Sequence, residues 1–252
     1  MATARVVGII PARYGSTRLP GKPLRTIGNK TMIQHVYERC ANAMSLDDLI
    51  VATDDARIAE AVAGFGGRAQ MTREDHPSGT DRLAEIAETL DAEIVVNIQG
   101  DQPFFDANMI DEVVAPLLAD PSLEVATLRY PITREADLQE PAVVKVVANH
   151  DGDALYFSRS LIPYPRQDVD HAVYEHVGLY AYRRVTLLRL AKLPVSMLES
   201  VESLEQLRWL ENGVRIRVPV TECPDRDFSG FSVDTPEDLA RAEAMLRERE
   251  SR

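Results

Sequence analysis

The 252-residue sequence is 45% apolar and 27% charged, enough apolar material for one large core or two small ones. A net charge of −12 argues against a nucleic-acid partner, which needs a broad basic face, and no run approaches the ~20 apolar residues of a membrane-spanning helix. Cys40 and Cys223 share no metal or redox spacing, and the short apolar run that breaks at Pro11 does not fit a secretory leader, so a reducing cytosol is the expected setting.

In chain order, RVVGIIPA (5–12) reads as a buried strand. TMIQHVYERCANA (31–43) puts Ile33, Val36, Tyr37 and Cys40 on one helical face, with Cys40 a core residue. DDLIVAT is a second strand and DDARIAEAVAGFGG a helix ending in glycines. GTDRLAEIAETL, AEIVVNIQGD, ANMIDEVVAPLLA and LEVATLRYPI continue the alternation as helix, strand, helix and strand. This order predicts an α/β fold with a mostly parallel, doubly wound sheet.

Beyond residue 140 the pattern changes. AVVKVVANHDGDALYFSRS reads as a hairpin over Asp151-Gly152, HVGLYAYRR as a strand and VESLEQLRWLENG as one helix closed by Gly213. VRIRVPV is a strand, and DTPEDLARAEAMLRERE a final helix with Thr235 as N-cap and Pro236 in its first turn. One domain with an inserted antiparallel section at about 140–215 is expected.

Charge is unevenly placed. No Asp or Glu precedes Glu38, yet Arg5, Arg13, Arg18, Lys22, Arg25 and Lys30 do. The loop after the first strand, RYGSTRLPGKP, lies where ligands bind in an open parallel sheet, and Arg13, Arg18 and Lys22 suit an anion. It is not a P-loop: five residues separate Gly15 from Gly21 instead of four, and Pro23 follows Lys22 where a hydroxyl residue would be needed. Metal ligands would have to come from elsewhere. Asp101, after a buried strand, and Asp234, before a helix, are hard oxygen donors of the kind Mg²⁺ takes. An Asx turn accounts for Asp101 equally well, and helix capping for Asp234.

Taken together, IIPARYGSTRLPGKPL, VATDD, MTREDHPSGTDRLAE, VVNIQGDQP, AVVKVV, ALYFSRSLIP, EHVGLYAYR, LEQLRWLENG and VDTPEDL resemble the 3-deoxy-manno-octulosonate (Kdo) cytidylyltransferase family over nearly the whole chain. The resemblance implies CMP transfer from CTP to Kdo, a step toward lipopolysaccharide, by a Mg²⁺-dependent, cytoplasmic, usually homodimeric enzyme. It implies Lys22 and Arg13, with Arg18 and Ser16, at the triphosphate, and Asp101 with Asp234 at the metal. Arg73, Ser78, Gly79 and Gln99, with backbone near Ala12, are its candidates for the nucleoside. Arg159 is matched to the sugar carboxylate, and His176, Tyr180, Glu205 and Gln206 to the sugar-side wall. Tyr180 and His176 also suit a core, and Glu205 a solvated helix face. Two positions depart from the family pattern: Gln102 where many relatives carry Glu, so no metal role is transferred to it, and Ser232 where glycine is common. Competing readings are a cytidylyltransferase for sialic acid or 8-amino-Kdo, a metal-dependent glycosyltransferase, for which a D-x-D motif is missing, and a non-catalytic nucleotide-binding module.

Overall fold

A computed structural model describes residues 5–223 and 225–251. The chain forms two compact units, one running up to Asp111 and resuming at Cys223, the other spanning Glu112–Glu222.

In the first unit β1 (Val6–Ala12) leads into a loop, a single 3-10 turn (Lys22–Leu24) and the short hairpin β2 (Thr26–Ile27) and β3 (Lys30–Thr31). Next come α1 (Met32–Cys40), β4 (Asp48–Thr53), α2 (Ala56–Gly64), β5 (Ala69–Met71), α3 (Gly79–Thr89) and β6 (Ile94–Asn97). The helix starts obey side-chain chemistry: Thr31, Asp55 and Ser78 each accept a backbone N–H of the first turn. β1 pairs in parallel with β4 on one side and β6 on the other, and β4 pairs in parallel with β5. Ile9, Ile10, Ile50, Val51, Val95 and Val96 are all fully buried, so successive side chains on both faces are covered, as the sequence pattern requires of a doubly wound sheet. Cys40 is fully buried, and burial pushes its thiol pKa up.

α4 (Asn108–Ala119) precedes β7 (Val125–Pro131), α5 (Glu135–Gln139), β8 (Lys145–Ala148), β9 (Ala154–Ser158) and β10 (Tyr174–Arg183). The expected hairpin forms: β8 and β9 pair antiparallel around a turn in which Gly152 takes a φ of 82°. β10 pairs antiparallel with both β7 and β8. α6 (Arg184–Leu190), α7 (Met197–Glu202), α8 (Gln206–Glu211) and β11 (Ile216–Arg217) complete the second unit.

Two sequence expectations need correction here. The helix expected over 201–213 is two helices, because Ser203 turns left-handed (φ 52°) and ends α7. The strand expected over 214–220 pairs as a ladder only at Ile216–Arg217, with one further bridge from Val220 to Arg129.

Back in the first unit, α9 (Arg226–Ser229) and α10 (Pro236–Glu250) close the chain. Phe228, Val233 and Ala242 pack with Leu19, Ile27, Met32 and Phe104, and Phe104 stacks on Phe228 at 4.3 Å. This cluster ties the first loop and the C-terminal segment to one core.

Candidate active site

β1 delivers the backbone to Ala12, and the loop beyond it is held from within. Ser16 and Gly21 amides donate to Tyr14 O at 2.9 and 3.1 Å, Leu19 N donates to Ser16 Oγ at 3.3 Å, and Leu19 is buried. Gly21 sits at φ 67°, with the Tyr14 ring 3.1 Å from where a Cβ would lie, so only glycine makes this turn without strain. The turn starts the 3-10 segment at Lys22, where Pro23 presents no amide to be left unpaired.

Lys22 Nζ thereby lies 2.9 Å from Asp101 Oδ2 and 2.9 Å from Asp234 Oδ1. Arg18 Nη2 reaches the same Asp234 oxygen at 3.1 Å. Asp101 is placed by Gly100, at which a Cβ would stand 2.9 Å from Pro11 O; the strand end passes too close to β1 for any side chain. Asp234 is placed by two bonds, Val233 N to Asp101 O at 2.9 Å and Asp234 N to Asp238 Oδ2 at 3.1 Å. Thr235 and Asp238 form a reciprocal capping box for α10, so capping does not occupy the Asp234 carboxylate. Among the described residues, the Asp101 carboxylate meets Lys22 and closes no Asx turn. Burial lowers the Lys22 pKa, but the two carboxylates more than offset this, and the net shift is upward. The lysine therefore remains an ammonium. These groups line a cavity of about 290 Å³ with Ala12, Arg13, Ser16, Gln99 and Gly100.

A second cavity of about 240 Å³ adjoins at Pro11, Ala12 and Arg13, and is bounded by His76, Pro77, Ser78, Gly79 and Arg82. Ser78 Oγ is engaged as the α3 cap, accepting from Asp81 N at 3.1 Å and donating to Asp81 Oδ2 at 2.6 Å. The helix amides at Gly79 and beyond, together with the positive end of α3, give this wall a preference for acceptors. Arg73 lines neither cavity; its side chain is 68% exposed and lies 3.8 Å from Glu85 and 3.9 Å from Asp75. Sequence reasoning passed over His76 and Arg82. Arg82 is almost wholly buried, donating to Asp54 Oδ2 at 2.9 Å and to Thr72 Oγ1, which fastens α3 to the ends of β4 and β5. His76 pairs with Glu85, which also accepts Arg73 N at 3.2 Å, so one carboxylate anchors the 73–76 loop.

The second unit holds the five remaining sequence-predicted residues. Arg159 donates to the carbonyls of Glu202, Pro141 and Ser203 at 2.7, 3.0 and 3.3 Å, while its own amide bonds Glu202 Oε2. Its own carbonyl is held by Lys145, a fully buried lysine that also donates to Glu140 O and Val143 O. His176 and Tyr180 stand ring to ring at 5.3 Å, with Phe157 edge-on to His176 at 5.0 Å. Burial holds the His176 pKa down to about 3. Burial, and then the Glu205 charge, raise that of Tyr180 well above its usual range. Both rings are therefore neutral at physiological pH. Glu205 pairs with Arg208 at 2.6 Å and Arg208 with Glu199 at 3.0 Å, so Glu205 is part of an ion-pair chain and not a merely solvated face. Gln206 is 6% exposed, and its Nε2 has no partner among the described residues.

Residues 7–216 match the family model described as cytidylyltransferase. A Syntrophotalea carbinolica protein named 3-deoxy-manno-octulosonate cytidylyltransferase is 52% identical, across 96% of this chain and 98% of its own. The chain belongs to the 3-deoxy-manno-octulosonate cytidylyltransferase family. A Geobacter metallireducens member is likewise 52% identical over 96% and 98% of the two chains. A solved CMP:2-keto-3-deoxy-manno-octonic acid synthetase, complexed with CTP, superposes with a TM-score of 0.90 at 47% identity, covering 98% of this chain and all of that one. A 4-diphosphocytidyl-2C-methyl-D-erythritol synthase from Anaerococcus prevotii, 15% identical over 97% of each chain with a TM-score of 0.63, shares the fold.

Proposed function

We propose that this cytidylyltransferase transfers CMP from CTP to the anomeric hydroxyl of Kdo, releasing pyrophosphate. The carrying observation is the cluster of Lys22, Arg18, Asp101 and Asp234 beside the loop that follows β1. The sugar hydroxyl gives its proton to solvent as its oxygen attacks the α-phosphorus, the bond from that phosphorus to the bridging oxygen breaks in line, and the electron pair leaves on pyrophosphate. Such a transfer asks for positioning and charge neutralisation more than for covalent catalysis. Lys22 and Arg13, with Arg18 and Ser16, bind the triphosphate and stabilise the leaving group. Gly79, the α3 amides, Gln99 and the backbone at Ala12 orient the nucleoside; Ser78 acts by capping that helix.

Mg²⁺ fits Asp101 and Asp234. Both carboxylates are within reach of one ammonium, and no cluster of three or more His, Cys, Asp or Glu suited to a metal occurs among the described residues. An ion held by one or two carboxylates and completed by substrate phosphate is the usual Mg²⁺ arrangement. When bound it would supply further neutralisation of phosphate charge.

The sugar acid is the part of the reading assigned to Arg159, His176, Tyr180, Glu205 and Gln206. A cytoplasmic homodimer supplying lipopolysaccharide assembly completes it. Among the described residues no helix is long and apolar enough to cross a membrane. Leu155, Tyr164, Val169, Val185, Val195, Met197 and Val201 are 60–81% exposed in the second unit, while Phe157, Tyr180 and Tyr182 are buried, so the contact between copies is assigned to the exposed set. Light scattering on Met197→Asp/Val201→Asp should report a monomer, and an unchanged dimer removes that assignment.

Pyrophosphate release with Mg²⁺ and Kdo, run with CTP, UTP, ATP and GTP in turn, tests the function. Release only with CTP supports it. Release with CTP only when sialic acid or 8-amino-Kdo replaces Kdo keeps the nucleotide site and overturns the sugar assignment. No release with any combination leaves a binding module.

A further inference from the structure

β10 is bulged against β7. The register runs Val177 opposite Leu128 and then Tyr180 opposite Thr127, so Gly178 and Leu179 are extra residues on β10. Bulges of this kind re-aim side chains near sites. Thr127 sits inside this one, fully buried. Its Oγ1 lies 2.8 Å from Val177 O, 2.7 Å from Leu179 O and 3.1 Å from His176 Nε2.

The protons on this hydroxyl can be counted. It has one to donate, and carbonyl oxygens only accept. Two oxygen–oxygen contacts this short require that proton to be directed at the carbonyls, shared or alternating between them. The third contact then works only if His176 is the donor. We infer that Thr127 is a positioning residue for the sugar acid, holding His176 as the neutral Nε2–H tautomer so that Nδ1 is left as a bare acceptor. No described group donates to Nδ1. A neutral ring with a free lone pair takes a hydrogen bond from a sugar hydroxyl and repels a carboxylate. Recognition by His176 is therefore of a hydroxyl along the sugar chain. The edge-on Phe157 ring and the adjacent Tyr180 ring hold the imidazole plane against rotation. A threonine that seals a bulge would look purely structural were it not for the ring nitrogen that shares its oxygen.

This inference rests on the reading that His176 lies on the sugar side, and its test separates the two. Protein labelled with ¹⁵N-histidine is examined by long-range ¹H–¹⁵N correlation between pH 6 and 8, with His176→Gln assigning the signal. The expected spectrum has a protonated Nε2 and an unprotonated Nδ1; the opposite tautomer overturns the inference whatever the substrate proves to be. Kinetically, Thr127→Val should raise the KM for Kdo by about five- to tenfold, the loss of one neutral hydrogen bond, with the KM for CTP unchanged. Thr127→Ser, which keeps the oxygen, should restore it and guards against a valine variant that folds badly. In a His176→Gln background Thr127→Val should cost almost nothing more, because the threonine acts through the histidine. An equal cost in both backgrounds overturns the positioning role. A wild-type protein that ignores Kdo sinks the functional reading, and the spectrum still decides the tautomer.

Discussion

Lys22 lies between the two carboxylates proposed above to hold a divalent cation, and this makes Lys22→Met an informative perturbation. Its ammonium is 2.9 Å from an oxygen of each aspartate, so a cation held by the same oxygens would have to displace it or lie beside it. At about 5 Å from a divalent ion and an effective dielectric of about 40, the repulsion is about 3 kcal/mol. The side chains involved are 16%, 28% and 34% exposed, so screening trims this figure. Removing the charge should then tighten nucleotide-free Mn²⁺ binding by about ten- to a hundredfold. Turnover should fall in the same variant by about 10² to 10³, the usual cost of removing one group that stabilises transition-state charge. Water-proton relaxation during a Mn²⁺ titration reads the first quantity and pyrophosphate release the second. Opposite movement of the two is the signature. Mn²⁺ binding that weakens or stays the same in Lys22→Met would refute the idea that lysine and metal share these oxygens.

Asp101→Asn should lower turnover by at least about 10² while the melting temperature stays near wild type, since the side chain is partly exposed and Lys22 keeps Asp234; near-normal turnover would end the metal assignment. Arg82→Met removes one partner of a buried pair with Asp54 and should cost about 3–5 kcal/mol in denaturant unfolding, with a loss under about 1 kcal/mol contradicting its role as the fastener of α3. Stability should depend on His176 between pH 6.5 and its folded-state value of about 3. In that window the unfolded chain binds the proton and the folded one does not, so stability falls by about 1.4 kcal/mol per pH unit on acidification. His176→Gln should remove that contribution from the slope, and equal slopes for the two proteins in urea melts at pH 5 and 6 would contradict a desolvated, neutral ring.

The first unit was legible in outline because each of its rules is local. Continuous apolar runs gave β1, β4 and β6, and the helical periodicity gave α1, α2 and α3, whose Thr31, Asp55 and Ser78 caps the structure then supplied. Asp101 and Asp234 could be singled out by their places after a strand and before a helix. Their convergence on one lysine could not, since it depends on Gly100 passing under β1 and on the stitch from Val233 to Asp101. The second unit was read less well. An unbroken helical pattern over 201–213 concealed the left-handed Ser203, because a serine carries no signal that it will take a positive φ. Glu205 was read as sugar wall or solvated face and its pairing with Arg208 was missed, as was the engagement of Arg159 by three carbonyls. Backbone acceptors have no letter in a sequence.

The bond from Lys22 to Asp234 spans 212 residues, and it has a temporal meaning. A chain emerging from the ribosome displays the first loop first and Asp101 next, and Asp234 follows only after the whole second unit has been made. Until then Lys22 has half its counterions, and Leu19 and Phe104 lack Phe228 and Val233 as packing partners. Chains terminated before Asp234, however well they fold their first strands, should therefore show no turnover. Under the proposed function, competence to use a nucleoside triphosphate should then be acquired only once Asp234 has been made.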